Sequence, residues 1–170
     1  QAEAKKRGLL NLRTSVDAYA YLTAPKNIEL FTSHGVMSES ELRSREEILY
    51  ENYSKIINIE ALTMIEMARR DYIPAVGVYI AELADRASAK RAVIGDIGVR
   101  IESDLIRRLT ELSEEAYDAV GRLEAEEASA AKIKDEHKRA RAYASRVIPA
   151  MQLLREKVDA MEPLTATDRK

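Results

Sequence analysis

The sequence predicts an all-α fold: an elongated antiparallel bundle of about three long helices, one of them Pro-kinked, with one or two short N-terminal helices. Three observations carry that reading. Ala, Leu, Glu and Arg are plentiful while aromatic residues make up only 5% of the chain, a balance that favours helices over strands. Two long stretches repeat apolar residues at steps of four and three, the seam of one helix packed on another. Between His34 and Ala68, a sharp helix start leads into a helix whose middle has no polar side.

The elements follow in order. From Gln1 to Thr23 the pattern is mixed, with Gly8, Asn11, Arg13, Thr14 and Ser15 breaking it before VDAYAYL; a linker and one short helical turn are expected. Pro25 suits a first helical position, and Ile28, Leu30 and Phe31 make a short helix that stops at Gly35. His34, just before that glycine, can cap carbonyls through its imidazole. Ser38-x-x-Glu41 forms a capping box with Met37 and Leu42 at staple positions, so a long helix begins at Glu39 and reaches about Ala92. Pro74 removes one hydrogen bond inside it, predicting a kink near Arg70 to Tyr72, helped by Gly77. At 1.5 Å per residue this element is roughly 80 Å long and could project as an arm.

Within it, Ile56, Ile57, Ile59, Ala61, Leu62, Met64, Ile65, Met67 and Ala68 cover all angles of a helical wheel. A helix apolar all round is expected to be buried. Asn58, Glu60 and Glu66 break the run too often for a bilayer span, so the burying medium should be protein. Asn58 and Glu60 must each be hydrogen-bonded or face a wet edge. Two kinds of partner stand open for Glu60: a cation of another domain or a neighbouring subunit, or Arg43, Arg45 or a last-helix arginine of the same bundle.

Gly95-Asp96-Ile97-Gly98 is the clearest break and predicts a hairpin turn. The next helix places Ile101, Leu105, Leu109, Leu112, Ala116, Val120 and Leu123 on one seam, with Glu and Arg outside. A small-residue segment, EEASAAKIK, should separate it from a last helix bearing Ile133, His137, Ala140, Ala144, Val147, Met151, Leu154, Val158 and Met161. Pro149 interrupts hydrogen bonds there without breaking the period, predicting a bend. The two seams should lie antiparallel, with the kinked Ile48 to Leu83 helix as third rod and Ala140 and Ala144 allowing close backbone approach. Tyr50, Tyr53, Tyr72, Tyr79, Tyr117 and Tyr143 are expected at edges, rings inside and hydroxyls wet.

Charge and residue chemistry exclude several functions. Basic residues number 27 and acidic residues 29, leaving no global field to attract nucleic acid or anionic lipid. Cysteine is absent, which removes disulfides and thiolate metal sites and suits a reducing cytoplasm. No signal peptide or transmembrane segment is visible. His137 sits on a seam with no second ligand at metal spacing, the pattern of a packed or partly exposed core histidine. Glu46 with Glu47, and Glu126 with Glu127, are adjacent on helices and do not face one another. The basic run Lys132, Lys134, Lys138, Arg139 and Arg141 is interrupted by Asp135 and Glu136, and only Tyr143 is near it, a poor nucleic-acid surface. The Gly95 to Gly98 segment lacks the preceding strand and following Lys of a phosphate loop. No catalytic, cofactor-binding or metal residue is nominated.

Three segments, HGVMSESEL, SREEILYENY and KIINIEALTM, resemble the region just after the catalytic domain in the type III glutamine synthetases, the large bacterial class of that ligase. Upstream, EAKKRGLLNLRTSVDA resembles the family's passage out of that domain, and RARAYASRVIPAMQLLREKVDAME its last long helix. Together they frame the chain from about Glu3 to Glu162. The resemblance implies a linker and short helix over 1–24 leaving a catalytic domain that is absent here, a helical bundle over 25–164, and a disordered tail over 165–170.

The implied parent is a cytoplasmic glutamate–ammonia ligase that works through a γ-glutamyl phosphate with ATP and Mg or Mn. Its ligand-holding motifs lie upstream in the family, so this chain should contain none and catalyse nothing alone; no cofactor is expected in it. A chain beginning at Gln1 rather than Met fits a piece of a larger protein. The implied partners are the catalytic domain of the same chain and neighbouring subunits of a ring-shaped homo-oligomer, with no nucleic acid and no membrane. The family's usual W-P-x-P-x-Y tail is replaced by Glu162-Pro-Leu-Thr-Ala-Thr-Asp-Arg-Lys170, which puts that tail's contact in doubt. The implied role is an accessory or assembly domain. The alternative is a stand-alone helical protein-interaction module without enzymatic activity; an independent small enzyme has no residues to carry it.

Overall fold

The computed structural model describes residues 2–95 and 98–166. Helices account for nearly all of it, and no strand occurs among the described residues. Two short helices, α1 (Ala2–Lys6) and α2 (Ser15–Tyr19), precede α3 (Pro25–Ser33). Thr14 caps α2 by accepting from the Asp17 N–H at 3.1 Å, which aims Val16 inward to full burial. Pro25 opens α3, and its chain reverses at Gly35, whose φ of 63° only glycine adopts without strain. The His34 imidazole does not cap the helix as expected. Its backbone N–H does so instead, reaching Leu30 O and Thr32 O, while the Thr32 and Ser33 hydroxyls take the Ile28 and Leu30 carbonyls.

Helix α4 (Glu39–Met67) starts at the predicted cap. The Glu41 N–H donates to Ser38 Oγ at 3.3 Å and the Ser38 N–H to Glu41 Oε2 at 2.8 Å. Serine's N–H donation holds the Glu41 carboxyl below its ordinary pKa. The helix passes through a wide π turn at Ala68–Tyr72 into α5 (Ile73–Ile94). This turn is the structural form of the expected kink. Pro74 has no N–H and its ring would crowd the carbonyl four residues back, so the Ile73 N–H reaches one residue further, to Ala68 O. The same solution recurs in the last rod. There α7 (Glu136–Ala142) joins α8 (Ile148–Met161) through a π turn at Tyr143–Val147, and the Ile148 N–H reaches Tyr143 O just ahead of Pro149.

Helix α6 (Arg100–Ala131) runs back between these two rods. Three core clusters fix the directions. Val16, Tyr50 and Ala140 make the first. Ala61, Ile65 and Ala68 meet Val120, Leu123, Tyr143, Val147 and Leu154 in the second. Val76, Tyr79 and Leu83 meet Leu109, Ala116 and Met161 in the third. Residue numbers rise along α4–α5 and α7–α8 and fall along α6, so the bundle is up, down, up, with α6 antiparallel to both. The rod of roughly 80 Å is flanked along its length and does not stand off as a bare arm.

Several expectations are corrected in detail. Helix α6 continues through Glu126–Ala131, and Ala130 is fully buried; alanine is the best helix former, so the break falls at Lys132–Lys134, with Asp135 capping α7. Ile101 is 70% exposed; the inward position at this end belongs to Glu102, which pairs with Lys90 of α5 and closes the hairpin. The turn residues Asp96 and Ile97 lie outside the described residues. Tyr50, Tyr79 and Tyr143 are core residues, while Tyr72 and Tyr117 are exposed. Burial raises the phenol pKa of both Tyr50 and Tyr143. Thr165, assigned by sequence to the tail, is buried and donates to Met161 O at 2.9 Å; residues 167–170 lie outside the described residues.

Candidate assembly surface

Helix α4 is apolar on two sides, and the bundle covers only one. Inward, Leu42, Tyr50, Ser54, Ala61 and Ile65 are buried, and Ile57 and Met64 pack beside them. Outward, Ile48, Ile56, Ile59 and Leu62 are exposed, Ile59 at 64%. The expectation that this helix is buried on every side is therefore corrected. The bundle packs against α4 on the Ala61 side, and four large aliphatic side chains face away from it.

The polar residues of that outer face are ordered among themselves. Lys55 pairs with Glu51 at 2.6 Å and Arg70 with Glu66 at 2.7 Å. The Thr63 hydroxyl donates to Ile59 O at 2.8 Å, so it is satisfied within the helix. Lys55 holds the Glu51 carboxyl below its ordinary pKa, through a hydrogen bond first and its charge second. The face is thus an aliphatic centre flanked at each end by an exposed ion pair.

Glu60 is exposed beside this centre and makes no ion pair among the described residues. Arg43 and Arg45 lie on the same helix, at least fifteen positions and roughly 22 Å away, so they cannot reach it; Arg43 is paired with Glu39 instead. Asn58 is half-buried, and its Oδ1 is shielded from water without a hydrogen-bond partner among the described residues.

Other sequence candidates do not converge. His137 takes the exposed form of the expected histidine: its ring lies 4.8 Å from the ring of buried Tyr50 and its Nε2 accepts from Arg141 Nε at 3.1 Å. Arg139 pairs with Glu136, leaving the basic run internally compensated, while Lys132, Lys134 and Lys138 are exposed at separate positions. Among the described residues no three His, Cys, Asp or Glu side chains gather to hold a metal ion. No described helix is long and apolar enough to cross a membrane. A concavity of roughly 410 Å³ between the first π turn and α8 has Tyr72, Val76, Val158 and Met161 for walls and Asp71, Asp159, Glu162 and Thr165 beside them; the Thr165 hydroxyl donates to Met161 O.

Sequence reasoning missed the Lys90–Glu102 clamp. Lys90 holds the Glu102 carboxyl below its ordinary pKa by donating to it. The signal was present as a glutamate one position off an aliphatic seam.

Comparison with known proteins gives the family. The family described as "Glutamine synthetase C-terminal domain" matches residues 1–91, from α1 almost to the end of α5. A glutamine synthetase of Butyrivibrio fibrisolvens is 35% identical over 162 residues, covering 95% of this chain and 23% of the relative. A type-3 glutamine synthetase of Dictyostelium discoideum is 36% identical over 86 residues, covering 51% of this chain and 12% of the relative; type-3 enzymes are thus not confined to bacteria. The chain therefore spans less than a quarter of the length of these relatives. By the match over more than half its length, this chain belongs to the glutamine synthetase family, as a C-terminal domain of it.

Proposed function

We propose that this chain is the C-terminal accessory and assembly domain of a type III glutamine synthetase and carries none of the active-site motifs. The observation that supports it most is the outer face of α4, where Ile48, Ile56, Ile59 and Leu62 stand exposed together on one side of a single helix. Exposed aliphatic clusters of this kind mark surfaces that another protein covers. The parent enzyme ligates ammonia to glutamate at the expense of ATP, with Mg or Mn held by residues upstream of this chain. Its partners are the catalytic domain of the same polypeptide and neighbouring subunits of a homo-oligomer, and the cytoplasm is its compartment.

The test has two parts. The reading frame upstream of residue 1 is expected to encode nucleotide- and glutamate-binding motifs, and the chain alone, supplied with ATP, Mg, glutamate and ammonia, is expected to form no glutamine. A reading frame without those motifs would favour the stand-alone interaction module. Turnover by the chain alone would overturn the accessory role.

A further inference from the structure

The outer face of α4 has an order that a generic sticky patch lacks. Ile48, Lys55, Ile59, Leu62 and Glu66 follow one another at steps of seven, four, three and four, the a/d spacing of a helix–helix seam. All five are exposed. This is a second seam on α4, distinct from the Ala61–Ile65 seam that faces α6 and α7, and it has no occupant among the described residues.

Reversing the chain direction about a point between Glu60 and Ala61 maps the Lys55-to-Glu66 part of this seam onto itself, while Ile48 lies beyond it. Ile59 then lies opposite Leu62, Lys55 opposite Glu66, and Glu51 opposite Arg70. Each of these charged positions meets its opposite, and the apolar steps meet each other at the centre. A parallel alignment in register would instead place Lys55 on Lys55 and Glu66 on Glu66, which is repulsive. Both ion pairs are exposed and free to re-pair across an interface, since Lys55 and Glu66 each have 61% of their side-chain surface open.

We propose that α4 pairs antiparallel with α4 of a second copy of this chain, across a two-fold axis between Glu60 and Ala61. Such an interface is isologous, so the contact of Lys55 with the other copy's Glu66 occurs twice. The proposal rests on the assembly reading above and names its surface and its partner. A single helical seam of this length falls short of the roughly 800 Å² per partner of a standard stable interface, so the pair of isolated domains dissociates on dilution. In an oligomeric parent, several such seams act together and reinforce one another.

Charge reversal tests it. The chain is studied by light scattering in a concentration series reaching about 1 mM, with far-UV circular dichroism to confirm folding. The wild type is expected to shift from monomer to dimer. Lys55→Glu alone and Glu66→Lys alone each place two like-charge contacts in the seam and are expected to weaken the dimer about tenfold or more. The double variant Lys55→Glu with Glu66→Lys restores both contacts with reversed sign and is expected to recover the wild-type dissociation constant. Loss of an intrachain pair cannot produce that recovery, because in the double variant the introduced glutamate stands beside Glu51 and the introduced lysine beside Arg70.

A folded chain that stays monomeric throughout overturns the two-fold seam, as does a dimer indifferent to both single variants or not recovered in the double one. The same variants in the parent enzyme separate this from the assembly reading. If the chain is monomeric but the single variants still lower the parent's mass, the face binds another part of the parent and assembly stands. If neither the chain nor the parent responds, both fail.

Discussion

Ile59 and Ile65 offer a controlled comparison, being the same residue type on the same helix, six positions and about 120° around it apart, one outside the bundle and one inside. Ile65 is 8% exposed and belongs to the central core with Ala61, Val120 and Leu154; Ile59 is 64% exposed. Replacement by alanine changes helix propensity equally at both sites, so the difference between the two variants isolates burial. Removing three carbons from the core site should cost about 3 kcal/mol, within the usual range for buried Ile→Ala including the cavity left behind. The exposed site should change by no more than about 0.5 kcal/mol. For a domain of this size each kcal/mol moves the melting temperature by about 2–4 °C, so Ile65→Ala should melt about 10 °C below Ile59→Ala. Thermal and urea unfolding followed by circular dichroism, at micromolar concentration where the chain is expected to be monomeric, measures both. Equal losses would refute the one-sided burial of α4, and with it the existence of an open outer face.

Four further outcomes are expected. Ser38→Ala removes the side-chain acceptor of the capping box and should cost about 1 kcal/mol by urea unfolding. Gly35→Ala has open space for the new methyl but must hold φ at 63°, so a strain cost of about 1 kcal/mol is expected, with the loss vanishing if the turn relaxes. Asn58→Ala removes a shielded acceptor that has no hydrogen-bond partner among the described residues and introduces a better helix former, so stability is expected to hold or rise by up to about 1 kcal/mol; a loss would reveal a partner for that oxygen. The Glu102 carboxyl has its folded pKa depressed by Lys90, so its contribution is fully present above the ordinary glutamate pKa and disappears as pH falls through the lower folded value. Acid unfolding curves of Glu102→Gln should therefore be flatter than wild type below about pH 4.5 and shifted downward at neutral pH.

The elements legible in sequence were those with strong local chemistry. Ser38-x-x-Glu41, Gly35 and Pro25 each dictate a backbone conformation within one turn, and each boundary appears where that chemistry puts it. The seams of α6 and α8 were legible because steps of three and four admit one packing face. What periodicity does not tell is how far along a seam the neighbouring rod extends. Ile101 repeats the period of Leu105 and Leu109, yet at that end the close contact is between Lys90 and Glu102, and Ile101 points into solvent. Tyr143 lies deeper than sequence suggests for a related reason. A tyrosine is amphipathic by itself, and Tyr143 lies in the wide turn ahead of Pro149 with its ring buried among Val120 and Leu123 of α6. The apolar middle of α4 was legible as needing partners; which side the bundle supplies depends on where α6 and α7 lie, and that is set by contacts far away in sequence.

The helix that sequence and structure single out together is α4, and the claim to test is that its outer face joins subunits. The most direct measurement is the solution mass of the parent enzyme, wild type against Ile59→Glu with Leu62→Glu. The paired substitution places two charges at the centre of the exposed aliphatic stripe while leaving the inward face untouched. A smaller assembled species with the fold of each subunit retained is predicted. An unchanged mass would contradict the assembly role of this face.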